Sequence, residues 1–283
     1  IDHMSFKEAL EQDPPILSDY KVVSTVVTKT EIEQLLNSNK FLKSDGKNWS
    51  IEGDASTFAA LIALRKLVKE RRIKHVVSFH SSIARSKEFM ELNATATKVE
   101  GSFANLTSFH VSGKDSVGDR AAELERFVNA EPSLITNARC LTEGVDVPAI
   151  DAVLFADPKQ SKIDIVQAAG RALRRFDGKD FGYIIVPIVI EEGDDAHLNK
   201  AFDQIITVIS ALGMSDERII EEFKTLVSGK REPGRIVEID IPKTVTNIDF
   251  QEFLTNIEIL VWDRVSFAKS VVGESDFTRW MRS

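Results

Sequence analysis

The sequence is short of cysteine, of basic charge and of long apolar runs, and each shortage removes a class of protein. Cys140 is the one cysteine in 283 residues, so no intramolecular disulfide forms. No charged-then-apolar leader of the secretory kind opens the chain, and a reducing, cytoplasmic setting is expected. No apolar run approaches the roughly 20 residues that cross a bilayer. Lys and Arg number 36 against 44 Asp and Glu, a net charge of -8, which argues against binding through a dominant basic surface. The acidity is local: residues 191–283 carry 18 acidic and 11 basic side chains, leaving 26 and 25 for residues 1–190. A nearly neutral first part can still hold phosphates through backbone N–H groups and helix N-termini.

Several motifs are also missing. No Gly-x-Gly-x-x-Gly follows a strand candidate, which speaks against a dinucleotide or nucleotide-sugar enzyme. No Gly-x-x-x-x-Gly-Lys-Ser/Thr occurs; Gly113-Lys114 is followed by Asp115, which lacks the hydroxyl that binds magnesium. Asp216-Glu217 opens a helix candidate, where acidic groups complement the dipole. His80 and His110 have no second ligand at a metal-binding spacing, so no metal site is expected.

What is present is an ordinary globular composition, 43% hydrophobic and 28% charged, patterned as α/β. Strand-like runs at 20–28, 75–79, 106–111, 133–136, 152–156 and 182–188 alternate with helix-period stretches at 55–72, 82–92, 116–128 and 162–174. Such alternation predicts a doubly wound, mostly parallel sheet with helices on both faces. After Ile190 a hydrophilic break, residues 191–195, leads into helix candidates at 198–212 and 216–227, with Gly213 between them as a cap. A strand candidate at 235–241 stops at Pro242, and 248–261 reads as a helix. Residues 1–19 are expected to be a linker and lead-in segment, with Ile1-Asp2-His3 ahead of Met4 a cloning remnant. Residues 20–190 are expected to be the main domain, and 191–283 a mainly helical appendage docked through the apolar face of 198–212. The last twenty residues, with Phe277 and Trp280, read as the beginning of a structure that continues.

The chemistry concentrates in Ser133-Leu-Ile-Thr-Asn-Ala-Arg-Cys-Leu-Thr-Glu-Gly-Val-Asp-Val-Pro148, then Asp151 to Asp157, then Gln167-Ala-Ala-Gly-Arg-Ala-Leu-Arg174. Ligands of open α/β sheets sit beyond the carboxyl ends of the strands, which is where Thr136 leads. Gly144 permits close backbone approach and Asp146 brings a carboxylate there. On one helix, Gln167, Arg171 and Arg174 fall within about 60° of one another. They border an apolar stripe of Ile163, Val166, Gly170 and Leu173. Two guanidinium forks at a crevice edge suit phosphate oxygens.

The Gly144-Val-Asp146 and Gln167-x-x-Gly-Arg-x-x-Arg174 elements resemble motifs V and VI of superfamily 2 helicases. His75-Val-Val-Ser-Phe-His-Ser-Ser82 resembles motif IV, and Phe109-His-Val-Ser-Gly113, leading to Arg120 and Phe127, resembles the stretch between motifs IV and V. The resemblance spans residues 20–190 and implies the second, C-terminal RecA-like motor domain. It implies ATP with Mg2+, held mainly by an N-terminal motor domain of the same parent chain that would lie upstream of Met4. Arg171 and Arg174 would then reach the γ-phosphate as arginine fingers, with Gln167, Gly144 and Asp146 at the nucleotide cleft. Ser81, Ser82, Thr136 and Asn137 would contact the nucleic-acid backbone. The continuation after residues 182–187 resembles large bacterial or phage helicase-like proteins, some tied to restriction systems, which implies DNA ahead of RNA. A fragment without a phosphate-binding loop is expected to hydrolyse no ATP alone. The alternative is a non-catalytic binding module for nucleic acid or protein on the same fold.

Overall fold

The computed structural model describes residues 6–37, 51–98, 105–138, 147–157, 161–190, 198–227 and 236–240, with Leu141 and a few positions near 260. Seven strands form one all-parallel sheet: β1 (Tyr20–Thr28), β2 (His75–Phe79), β3 (Thr107–His110), β4 (Ser133–Asn137), β5 (Ala152–Phe155), β6 (Gly182–Ile190) and β7 (Val237–Asp240). Their order is β3-β4-β2-β5-β6-β1-β7. A parallel sheet covered on both faces needs apolar side chains on both, which is why β6 reads Gly-Tyr-Ile-Ile-Val-Pro-Ile-Val-Ile with hardly a break. Pro187 fits because β5 pairs with β6 only as far as Ile185, and Pro187 faces Thr25 of β1 on the other side; its missing N–H costs no ladder bond.

Alternation divides the strands between two cores. Val23, Val27, Val76, Leu134 and Leu154 meet the helices α2 (Lys29–Asn37), α3 (Ile51–Arg71) and α4 (Ile83–Lys98). Tyr20, Val22, Val26, Phe79, Phe155 and Ile184 face α5 (Val117–Val128), α6 (Lys162–Ala172) and α7 (Leu198–Gly213). Side-chain caps start several helices. Ser116 and Ser161 accept from the Asp119 and Asp164 N–H groups at 3.1 and 3.3 Å. Thr28 and Glu31 exchange reciprocal bonds that open α2.

The described residues beyond Ile190 pack on the main domain, α7 through the apolar face expected to dock. The apolar face of α7, Ile205, Ile206, Val208, Ile209 and Leu212, belongs to the same core as α6 and β6, as do Ile219 and Ile220 of α8 (Arg218–Val227). β7 extends the sheet beside β1, from Val22↔Val237 to Thr25↔Asp240. The lead-in segment, in turn, is structured: α1 (Phe6–Glu11) packs Phe6 and Leu10 on that core. The break at 191–195 and the final twenty residues lie outside the described residues, as does most of the helix expected over 248–261.

Candidate functional site

The site residues fall into two groups at opposite ends of the sheet. At the carboxyl end, β2 and β4 lie side by side, Ser78 opposite Thr136 and Phe79 opposite Asn137. Ser81 and Ser82 follow β2 and are exposed. Ser82 caps α4, its Oγ accepting from the Arg85 N–H at 3.2 Å. Thr136 and Asn137, by contrast, are fully buried. The Asn137 amide donates to the Ser78 carbonyl at 3.0 Å and the Thr136 hydroxyl to the Phe109 carbonyl at 3.3 Å. Their side chains tie β2, β3 and β4 together.

Sequence reasoning missed the group that organises this end. Asp157, beyond β5, is 5% exposed. It accepts from the Ser81 N–H and Oγ, both at 2.8 Å, and from Arg85 Nε at 2.9 Å. Arg85 also donates to Thr57 at 3.1 Å. Burial pushes the Asp157 carboxyl up, but Arg85 and the two Ser81 bonds outweigh it and hold the pKa below the usual carboxylate range. The signal in sequence was a polar Asp ending an apolar strand. Next to it His80 is buried, its Nε2 at 2.9 Å from Ser78 Oγ, and burial pulls its pKa down to about 4. His110 Nδ1 lies 3.1 Å from Thr136 Oγ1. Among the described residues no three His, Cys, Asp or Glu side chains cluster as a metal site.

The second group is on α6 and its exit. The buried face of α6 is Ile165, Ala168, Ala169 and Ala172; the expected stripe was misplaced, since Ile163 is 40% exposed. At about 100° per residue, Arg171 stands roughly 110° from the centre of the buried face and Gln167 roughly 150°, so both look away from the sheet. Gln167 is exposed and Arg171 half-buried, and burial pulls the Arg171 pKa below its ordinary value. The helix ends at Ala172 with Leu173 as its cap. Arg174 therefore does not share a helical face with the other two; it lies beyond the end, bridged antiparallel to Leu17. Gly144 and Asp146 lie outside the described residues.

The exit of α6 is closed by groups from elsewhere. Lys179 Nζ donates to the carbonyls of Ile150 and Arg174, each at 2.8 Å, and to that of Ala172. The Ser18 N–H donates to the Leu173 carbonyl at 2.7 Å. Arg175 donates to the Pro15 carbonyl at 3.1 Å. The last carbonyls of a helix have no partner within it, and here these groups supply them. Beside them Asp151 accepts from the Lys74 and His75 N–H groups at 2.8 and 2.9 Å, and burial pushes its pKa up to about 6.

An all-parallel sheet in this order, flanked on both faces and carrying an arginine-bearing helix between β5 and β6, is that of a RecA-like motor domain of the helicase class. Residues 59–176 match the family of the helicase conserved C-terminal domain, and the chain carries the C-terminal domain of a superfamily 2 helicase. Among solved structures it is similar to the ATP-dependent Type ISP restriction-modification enzyme LlaBIII bound to DNA. The identity is 27% and the TM-score 0.70, over 95% of this chain and 19% of that one. A nuclease-deletion mutant of the Type ISP enzyme LlaGI, in complex with a DNA substrate mimic, shares the fold at 22% identity and TM-score 0.52, over 95% and 16% of the two chains. The "Probable helicase A859L" of African swine fever virus is 36% identical over 93 residues, 33% of this chain and 11% of the viral protein. The chain thus spans a minor part of each of these relatives. No described helix is long and apolar enough to cross a membrane.

Proposed function

We propose that the chain is the second motor half of an ATP-dependent DNA helicase or translocase and that it supplies Arg171 and Arg174 to ATP bound mainly by another motor domain of a longer protein. The observation that carries this is the build of the α6 exit. A half-buried guanidinium and a second arginine three residues on stand on backbone whose carbonyls are satisfied from two outside elements. Holding two cations so firmly, one of them against a desolvation cost, suits an anion that arrives fixed in place. The residues fit the end of a triphosphate and not a whole nucleotide, for the sequence contains no Gly-x-x-x-x-Gly-Lys-Ser/Thr.

ATP supplies the transferable phosphoryl group when bound. Arg171 and Arg174 would offset negative charge that grows on its terminal oxygens. A charge pair at 4 Å is worth about 4 kcal/mol near a protein surface, on the order of a thousandfold in rate. Gln167, exposed one turn before Arg171, is assigned to the same cleft, as are Gly144 and Asp146 by their place in the sequence. Ser81 and Ser82 are assigned to the nucleic-acid backbone; Thr136 and Asn137 serve by fixing the strands beneath. The choice of DNA is supported by LlaBIII, whose structure is of a DNA complex.

The test is DNA-stimulated ATP hydrolysis by the full-length protein, wild type against Arg174→Ala. A loss of roughly 10³-fold or more with nucleotide binding retained is expected. Hydrolysis indifferent to both DNA and Arg174 would make the domain a non-catalytic binding module.

A further inference from the structure

Residues 6–18 touch α6 along the stretch that carries the arginines. The Phe6 ring lies over Gly170, where an added Cβ would stand 3.7 Å from it, and meets Tyr20 edge-on at 6.3 Å. Ala9 is a buried residue of α1, and the Ile16 N–H returns the chain to the Ala9 carbonyl at 2.9 Å. Leu17 then bridges Arg174, Ser18 donates to the Leu173 carbonyl, and the Pro15 carbonyl receives Arg175. From Gly170 to Arg175 the arginine segment lies under one strap.

We infer that residues 6–18 are a positioning strap for Arg171 and Arg174, with Phe6 and Leu17 as its positioning residues. The inference rests on the reading of these arginines as phosphate-facing. Two features separate it from ordinary packing. The polar contacts of the strap cluster at residues 173–175, on the backbone of Leu173 and Arg174 and on the Arg175 guanidinium, the point where Arg174 leaves the helix. Its apolar contact also falls on the helix: the Phe6 ring packs at the Gly170 position, beside Arg171. The core holds α6 on its far side through Ile165, Ala168, Ala169 and Ala172, so a change in the strap moves the arginine segment while the sheet stays intact. Misplacing a reacting group by about 1 Å costs on the order of a hundredfold in rate, so a modest slip suffices.

The experiment compares the full-length protein with its Phe6→Ala, Phe6→Leu, Phe127→Leu and Arg174→Ala variants. Phe127 is a fully buried core residue packed on His75 and Phe109, and its variant measures the effect of lost stability alone. Phe6→Ala is expected to lower the DNA-stimulated kcat by roughly 10- to 100-fold, with KM for ATP little changed. Phe6→Leu, which keeps the bulk, restores most of it. Hydrogen exchange on the same proteins should quicken at Leu173 and Arg174 in Phe6→Ala while β5 is unaffected. A kcat no lower than that of Phe127→Leu, or unchanged exchange at Leu173 and Arg174, overturns the strap. If Arg174→Ala hydrolyses normally, the phosphate-facing reading itself fails; if it is inactive while Phe6→Ala is normal, only the strap does.

Discussion

His80 and Asp157 lie at the same end of the sheet and are driven in opposite directions. Asp157 stays ionised because Ser81 and Arg85 supply donors from three sides. The His80 ring bonds to the Ser78 hydroxyl and has a phenyl neighbour, Phe89, at 5.0 Å. Burial therefore dominates and takes its pKa from 6.5 to about 4. Arg85 balances Asp157, so the pair carries little net charge. The histidine shift also sets a pH dependence. The unfolded chain takes up a proton near 6.5 and the folded one only near 4, so the contribution of His80 to stability is intact above 6.5 and is lost as pH falls between these values. Its full size is about 3 kcal/mol. His80→Phe leaves the Ser78 hydroxyl unbonded and should cost about 1 to 3 kcal/mol at pH 7.5. At pH 5 that cost should shrink by about 2 kcal/mol, because the wild type has weakened and the variant does not titrate there. Urea unfolding at the two pH values measures it, and an equal difference at both would mean that His80 titrates normally.

Elements meet most tightly where α6 ends and β6 begins. A Cβ on Gly182 would lie 2.3 Å from the Ala172 carbonyl oxygen and 2.9 Å from its carbon, both backbone atoms that cannot turn aside. Gly182→Ala must push the α6 exit off the sheet, the same exit that Lys179 and Ser18 close. A loss of about 3 kcal/mol or more is expected, read as a drop in melting temperature; a neutral substitution would show the joint to be slack. Nothing in the sequence marked Gly182 as different from other glycines, because the carbonyl it approaches is ten residues away across a helix-to-strand turn. The strands were legible for the converse reason: β1 and β2 are local apolar runs bounded by polar residues, and both were placed to the residue. α2 was missed although Thr28-Lys-Thr-Glu31 is a capping-box sequence, since Lys29–Asn37 repeats apolar residues only briefly. The buried face of α6 was misread because three of its four members are alanines, which hardly stand out from their neighbours in hydrophobicity. Arg171 lies on α6 as its spacing predicts, whereas Arg174, expected on the same helical face, lies beyond the helix end. The closure of the α6 exit, built from backbone carbonyls and distant donors, has no local pattern to read. Phe6-x-x-Ala-Leu10 did carry helical spacing, too short to weigh by itself.

The described residues form one sheet, and it is not complete at Ile190. The hydrophilic run at 191–195 suggested a boundary, yet hydrophilic composition reports only that a segment prefers water; it says nothing of what packs on either side. α7 returns over the face shared by α6 and β6 and reaches the carboxyl end of β5, where Gln204 donates to the Phe155 carbonyl at 3.1 Å. Ion pairs of Glu238 with Lys21 and Arg71, and of Asp240 with Lys66, hold β7 to β1 and α3; most of the holding falls to the ladder, since exposed pairs contribute little. A chain stopped at Ile190 would leave β1 as an open edge and uncover Tyr20, Val22, Ile184 and Val186 on the α7 face. Burying five large aliphatic side chains of α7 is worth about 10 kcal/mol, comparable with the whole stability of a domain. We therefore expect residues 1–190 alone to lack a cooperative urea transition and to associate, while residues 1–283 unfold in one step with α7 and β6 losing amide protection together. If the shorter chain instead unfolds cooperatively at an unchanged midpoint, α7 is a separable appendage and the burial seen on its inner face contributes nothing to holding the sheet.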